Sequence, residues 1–278
     1  MNWENGLPKW TTNIFVSGPI EVDKEISFHS RKDIEFGDSL YSNVKIKKDR
    51  DGIRLSVNSF APDIEFGKKA ALIFSGLALD VLSVKTKCPL YVSIHEQRPR
   101  YSFNEYEIVR TVTEEEWKFA FQEARLLTLT EPTFLRALGW YRKGLNSDDP
   151  FDKFLAFWNS IEVVAGKYHT PTERTTQGVK NQIWQCFLEL WGECENWKII
   201  AGQTDWIDEN YQDRKNVAHG IISIDVASIE EVSNKLSVIE KLANIFLIEW
   251  RINKLNPESQ ITEEIQGKLD ERDWIKIE

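Results

Sequence analysis

Positive charge is in short supply in this 278-residue chain: 35 lysines and arginines stand against 44 aspartates and glutamates, a formal charge of −9. A broad nucleic-acid-coating surface would be basic, so that class is excluded. A small basic cleft on an acidic body is not. Cysteine is scarce as well. Cys88, Cys186 and Cys194 are odd in number and lack a Cys-x-x-Cys spacing. Reduced structural thiols are the expectation, and neither a disulfide framework nor a zinc site is. There is no long apolar run. The longest, Ala71 to Val84, is too short to span a membrane and contains Asp80. Met1-Asn2-Trp3-Glu4 lacks the basic and apolar regions of a secretory signal, so a cytoplasmic location is expected. Fixed-period repeats, low-complexity linkers, and Walker or nucleotidyltransferase patterns are missing too. No metal and no cofactor is expected.

What the chain does have is tryptophan, eleven of them, and length enough for two domains with aromatic cores. Ile14 and Val16, Ile20 and Val22, and Ile26 and Phe28 alternate at period two and predict short strands. Val44 and Ile46, then Ile53, Leu55 and Val57, flank a Lys47–Gly52 segment whose Asp51-Gly52 predicts a hairpin. Lys45, Lys47, Lys48, Arg50 and Arg54 cluster there, either to touch phosphates or as a solvated hairpin face, the commoner use. Lys68 to Thr86 reads as a helix apolar on most sides, buried on the preceding sheet and stopped at Cys88-Pro89. Leu90–Glu96 and Tyr106–Val112 return to strand character. Residues 1–115 are thus predicted to be an α+β domain, β-rich with one buried helix. It shows no catalytic motif, and its histidines, His29 and His95, read as structural, as does His169 further on.

From Thr113 the pattern turns helical. Thr113 and Glu116 form a capping box ahead of Trp117, Phe121, Ala124 and Leu127. Pro132 opens a helix carrying Phe134, Leu135, Leu138 and Tyr141 and ending near Gly144. Asp149-Pro150 supplies a cap and a first-turn proline for a helix that buries Phe154, Phe157, Trp158, Ile161, Val164 and Ala165 and stops at Gly166. Thr170-Pro171-Thr172-Glu173 repeats the capping grammar before Val179, Ile183, Cys186, Phe187 and Leu190. Ser228 and Glu231 read as the capping box of a last core helix, with Ile229, Val232, Leu236, Ile239, Ala243, Phe246 and Trp250 at three-four spacing. Leu242, Ile245 and Ile248 widen its stripe. Residues 116–255 are therefore predicted to be an all-α bundle, and 256–278 a charged tail in which Trp274 and Ile275 offer docking contacts.

One stretch carries chemistry: Tyr211-Gln212-Asp213-Arg214-Lys215-Asn216-Val217-Ala218-His219-Gly220. Thr204 or Asp205 opens its helix, and Gly220 is a natural left-handed stop. Five residues rotate an ideal helix by about 140°, so Arg214 and His219 do not share a face. A guanidinium can hold a phosphate through two parallel hydrogen bonds, and an imidazole exchanges a proton near neutral pH. Together they can cut RNA without a metal. The plain alternative is a helix end with a solvated arginine and a histidine favoured by the helix dipole. Asn159 and Glu162 are polar on an otherwise apolar helix. Either could bond Arg214, or both could face water.

Arg214-Lys215-Asn216-Val217-Ala218-His219-Gly220 resembles the Arg-x4–6-His motif of the HEPN superfamily. Asp149 to Ala165 resembles an early helix of its ApeA-like and MauJ-like branch. The likeness covers roughly residues 135–255. It implies a HEPN-like helical bundle and a metal-independent endoribonuclease with Arg214 and His219 as catalytic residues. The expected products are a 2′,3′-cyclic phosphate and a 5′-hydroxyl. It further implies RNA as partner, tRNA among the candidates, and a homodimer, because HEPN sites face each other across two units. The setting it suggests is a toxin or antiviral defence effector, with an inhibitory or trigger partner acting on the N-terminal domain. Lys215 adds charge where a phosphate would bind, and Asn216 is placed to orient His219 or to bind phosphate. Tyr211 and Asp213 either line the cleft or are ordinary surface residues. The family often has Asn, Asp or His directly after the arginine; here Lys215 stands there and Asn216 follows. Two other readings remain open: a non-catalytic HEPN scaffold for dimerisation or for RNA or ligand binding, and a chance motif with an unrelated role in the first half.

Overall fold

The computed structural model describes residues 7–29, 41–94, 109–221 and 225–255. His95, the strand expected from Tyr106 as far as Ile108, and the tail with Trp274 and Ile275 lie outside them. The chain forms two compact units that divide between Leu129 and Thr130. The architecture is α+β, with a strand-rich first part and a helical second part.

In the first unit, β1 (Lys9–Ser17), β3 (Ile26–Phe28), β4 (Tyr41–Asp49), β5 (Gly52–Phe60) and β6 (Tyr91–Ser93) form an antiparallel sheet in the order β3-β4-β5-β1-β6. A small parallel pair joins β2 (Ile20–Glu21) to β7 (Arg110–Thr111). The β4–β5 hairpin closes by pairing Asp49 with Gly52, so Arg50 and Asp51 are its two-residue turn. Gly52 has φ +143°, and a Cβ there would lie 2.2 Å from the Val16 carbonyl, so only glycine fits. The period-two residues Ile14, Val16, Ile26, Phe28, Val44, Ile46, Ile53, Leu55 and Val57 are all buried. The hairpin's cations are largely paired: Lys47 with Glu25 at 2.8 Å, Arg54 with Asp49 at 3.1 Å, and Lys48 with Glu21. That is the solvated-face arrangement.

Helix α1 (Ile64–Thr86) packs on β1 and β5. It begins four residues before the predicted Lys68, because Asp63 caps it by accepting the Phe66 amide at 2.8 Å. Its last turn ends on Lys87 in the left-handed conformation. Helix α2 (Glu114–Thr130) opens on the predicted capping box: Thr113 Oγ1 accepts the Glu116 amide, and Glu116 Oε2 accepts the Thr113 amide. Phe121 packs against Phe28 and Phe74, which explains why the units divide after this helix whereas the sequence pattern drew the junction at 115/116.

The second unit contains α3 (Pro132–Asn146), α4 (Pro150–Tyr168), α5 (Val179–Trp191), α6 (Trp206–Ala218) and α7 (Val226–Asn253). Helix α4 is central and touches the other four. Its cap is Asp149, which accepts the Asp152 amide at 2.9 Å. It runs through Gly166, since glycine in a last turn need not terminate a helix whose C-terminal carbonyls find other partners. Gly144 lets α3 approach α4 closely: a Cβ there would lie 2.6 Å from the Phe157 ring. Phe187, Trp191, Phe246 and Trp250 form an aromatic core between α5 and α7. Helix α7 starts three residues before the predicted capping box. Asp225 accepts the Ser228 amide at 2.8 Å, so Ser228 lies inside the first turn and not at its cap, and Ile229 is left exposed. Thr172 caps only a short 3-10 turn (Thr175–Gln177), because Gly178, at φ +119°, reorients the chain before α5.

Candidate functional site

The candidate site lies where α6 crosses α4. Helix α6 begins at Trp206 and ends in a Schellman closure: the Gly220 amide bonds the Val217 carbonyl at 3.1 Å and the Ile221 amide the Asn216 carbonyl at 2.9 Å. Gly220 has φ +63°, the left-handed conformation that its identity predicts. This closure sets the orientation of everything that follows Arg214.

Arg214 turns toward α4 and meets Glu162. Its Nη2 donates to Glu162 Oε1 at 3.3 Å, and its Nε lies 3.2 Å from Oε2 without the angle of a hydrogen bond. The two side chains are 26% and 24% exposed, so the pair is half-buried. Of the two polar residues expected near it, Glu162 makes the contact. Asn159, also half-buried, makes no bond to Arg214. Glu162 is held from its own helix as well, since Trp158 Nε1 donates to Oε2 at 2.8 Å. The carboxylate is thus clamped between a buried indole and a guanidinium. Arg214 Nη1 makes no bond among the described residues.

His219 is the cap residue one position beyond α6. It is exposed, and its ring makes no bond among the described residues. Arg214 and His219 thus do not share a face: Arg214 turns toward α4, and His219 faces water. Asn216 is engaged elsewhere: its Oδ1 accepts from Gln212 Nε2 at 2.9 Å, and it does not bond His219. Lys215 lies over the Tyr211 ring at 5.9 Å. Tyr211 packs on buried Trp158, with ring centroids 6.4 Å apart. Asp213 is paired. It accepts from Lys235 of α7 at 2.5 Å. Burial works against the Lys235 charge, but Asp213 and Glu231 together outweigh it, and the ammonium holds its proton above the usual lysine range.

Three participants are invisible to motif reading. Trp158 is the buried orienting donor to Glu162, legible only as an i, i+4 pair on a helix. Lys235 ties α6 to α7. Asn210, one turn before Arg214, is buried; it donates to the Trp206 carbonyl at 2.7 Å, and its Oδ1 is unbonded among the described residues. Among the described residues no group of three or more His, Cys, Asp or Glu is gathered to hold a metal ion. Nor, among them, is any helix long and apolar enough to cross a membrane. Cys186 and Cys194 are buried and Cys88 half-buried, all three as free thiols.

Comparison with curated proteins and with solved structures finds no match. Residues 137–247, from α3 to α7 and including Glu162, Arg214 and His219, match the family model described as methylamine utilization protein MauJ.

Proposed function

We propose that the helical unit is a HEPN-type domain and that the chain is an endoribonuclease acting without a metal. The observation that carries this reading is the Arg214–His219 segment inside the matched residues 137–247: His219 is exposed, and the Nη1 edge of Arg214 is unbonded among the described residues. RNA brings its own nucleophile, the 2′-hydroxyl. In the proposed step this oxygen attacks the adjacent phosphorus while the bond to the 5′-oxygen breaks. His219 takes the 2′ proton or delivers one to the departing 5′-oxygen. Arg214 stabilises the charge gathering on the phosphoryl oxygens. A 2′,3′-cyclic phosphate and a 5′-hydroxyl result. Because Arg214 and His219 face different ways within one chain, the complete cleft is proposed to form from two copies. A cytoplasmic toxin or anti-phage role, with the first unit sensing a trigger or restraining the nuclease, fits this activity.

A second reading draws on the Arg214–Glu162 pair. Glu162 already neutralises Arg214, which favours a non-catalytic HEPN scaffold in which the arginine is structural. One assay separates them. Total tRNA and a mixed single-stranded RNA are incubated with the protein in EDTA, and product ends are examined. Cutting by the wild type that falls at least 100-fold in both Arg214→Ala and His219→Ala supports the nuclease. Cutting unaffected by either substitution, or no cutting by folded dimer over a range of RNAs, favours the scaffold.

A further inference from the structure

Tyr211 and Trp184 lie on neighbouring helices, and each has cations over its ring. Lys180 of α5 sits 5.8 Å from the Tyr211 centroid, and Lys215 5.9 Å from it. Arg174, from the turn before α5, sits 4.7 Å from the Trp184 centroid. Lys180 and Trp184 are four residues apart on α5 and so share a face, as do Tyr211 and Lys215 on α6. Lys180 bridges the two helices, because it also pairs with Asp208 of α6. The five side chains thus form one strip that runs from the start of α5 across to α6. At its α6 end, Tyr211 rests on Trp158, the residue that holds Glu162 against Arg214.

Among the described residues, Arg174 bonds only neutral Asn181, through Nε at 2.9 Å, and Lys215 has no carboxylate partner. Lys180 alone is paired. Two cations without a carboxylate partner among the described residues thus lie beside half-buried rings, on a protein of net charge −9. Half-buried aromatic rings with nearby cations are what an unpaired nucleic-acid strand requires. Every base has a face that stacks on an aromatic ring whatever its identity, and the cations answer the phosphates between bases. A duplex hides its base faces and would gain only the cations. An acidic peptide would likewise use the cations and leave the rings idle.

We propose that Arg174, Lys180, Trp184, Tyr211 and Lys215 form a track for single-stranded RNA that delivers the strand to Arg214 and His219. This deepens the nuclease reading and rests on it for its direction, but the binding can be measured apart from cutting. The probe is a fluorescent 2′-O-methyl oligonucleotide of mixed sequence, which lacks the attacking hydroxyl and stays intact. Anisotropy should show binding of the full chain at low salt, weaker binding of the matching duplex, and unchanged folding of the variants by circular dichroism. Tyr211→Leu and Trp184→Leu should each weaken binding about tenfold. Because Trp184 also packs edge-on against Trp197, the cation double variant Arg174→Gln/Lys215→Gln, which leaves both rings in place, guards against a folding artefact. It should flatten the slope of log affinity against log salt by about 1.4, at ~0.7 per phosphate contact on a single strand. Binding that persists in a chain that never cuts keeps the track and sinks the nuclease. Absence of binding, equal affinity for duplex, or affinity that ignores both ring substitutions overturns the track.

Discussion

Glu162 is the residue on which the site turns. Its two oxygens serve an indole from its own helix and a guanidinium from another. An ion pair this exposed lies between surface pairs, which contribute ~0–1 kcal/mol, and buried ones, whose disruption costs several. A double-mutant cycle with Glu162→Gln and Arg214→Gln, followed by urea unfolding, should therefore give a coupling energy of about 1 kcal/mol. A value indistinguishable from zero would mean that the pair does not persist in solution. Neither residue announces this from its sequence neighbourhood, since 52 positions separate them. The motif singled out Arg214, and the polar position on an apolar helix singled out Glu162. The choice of Glu162 over Asn159 had to wait for the rotation of α4.

At the scale of elements, α3 and α4 are tied at their far ends by one hydrogen bond. Glu131 stands at the N-cap of α3 yet makes no cap bond, because Tyr168 at the end of α4 donates its hydroxyl to Glu131 Oε2 at 2.6 Å. Burial and then the Glu131 carboxylate hold this phenol's proton well above the ordinary tyrosine range. The sign follows from linkage. The folded state keeps a proton that the unfolded chain releases near pH 10, so the contribution is complete below that pH and is lost as pH rises past it. Tyr168→Phe should remove this alkaline dependence. It should also cost about 1 kcal/mol at neutral pH, given a charged acceptor and a half-exposed site. Chemical unfolding at pH 7 and pH 10.5 of both proteins checks both claims; parallel losses at the two pH values would refute the first. The elements themselves were largely legible. At Thr113 and Asp149 the cap was picked out by its neighbours, and the start was read correctly. At α1 and α7 an aspartate a few residues upstream is the true cap, so apolar periodicity at α1 and the Ser228–Glu231 pattern at α7 both placed the start too late.

For the whole molecule, each unit has its own core. The sheet and α1 bury Ile14, Leu55, Leu79 and Leu82, while the helical unit buries Trp158, Phe187, Phe246 and Trp250. A unit with a complete core is a folding candidate in its own right. Residues 130–260 produced alone should give helical circular dichroism and a cooperative thermal transition. A broad, non-cooperative melt would show that this unit depends on the first for its fold.

Local patterning determined the α+β architecture, the Asp51-Gly52 hairpin, the capping box at Thr113 and the left-handed stop at Gly220, because each is set by backbone sterics and by neighbours a few residues away. It also placed Arg214 and His219 on different faces, since helical pitch requires it. Tertiary structure alone decided that Glu162 holds Arg214, that Lys235 takes up Asp213, and that the hairpin's cations are answered by Glu21, Glu25 and Asp49. Those outcomes depend on how helices rotate and strands register against one another, and no short stretch of the chain encodes that by itself.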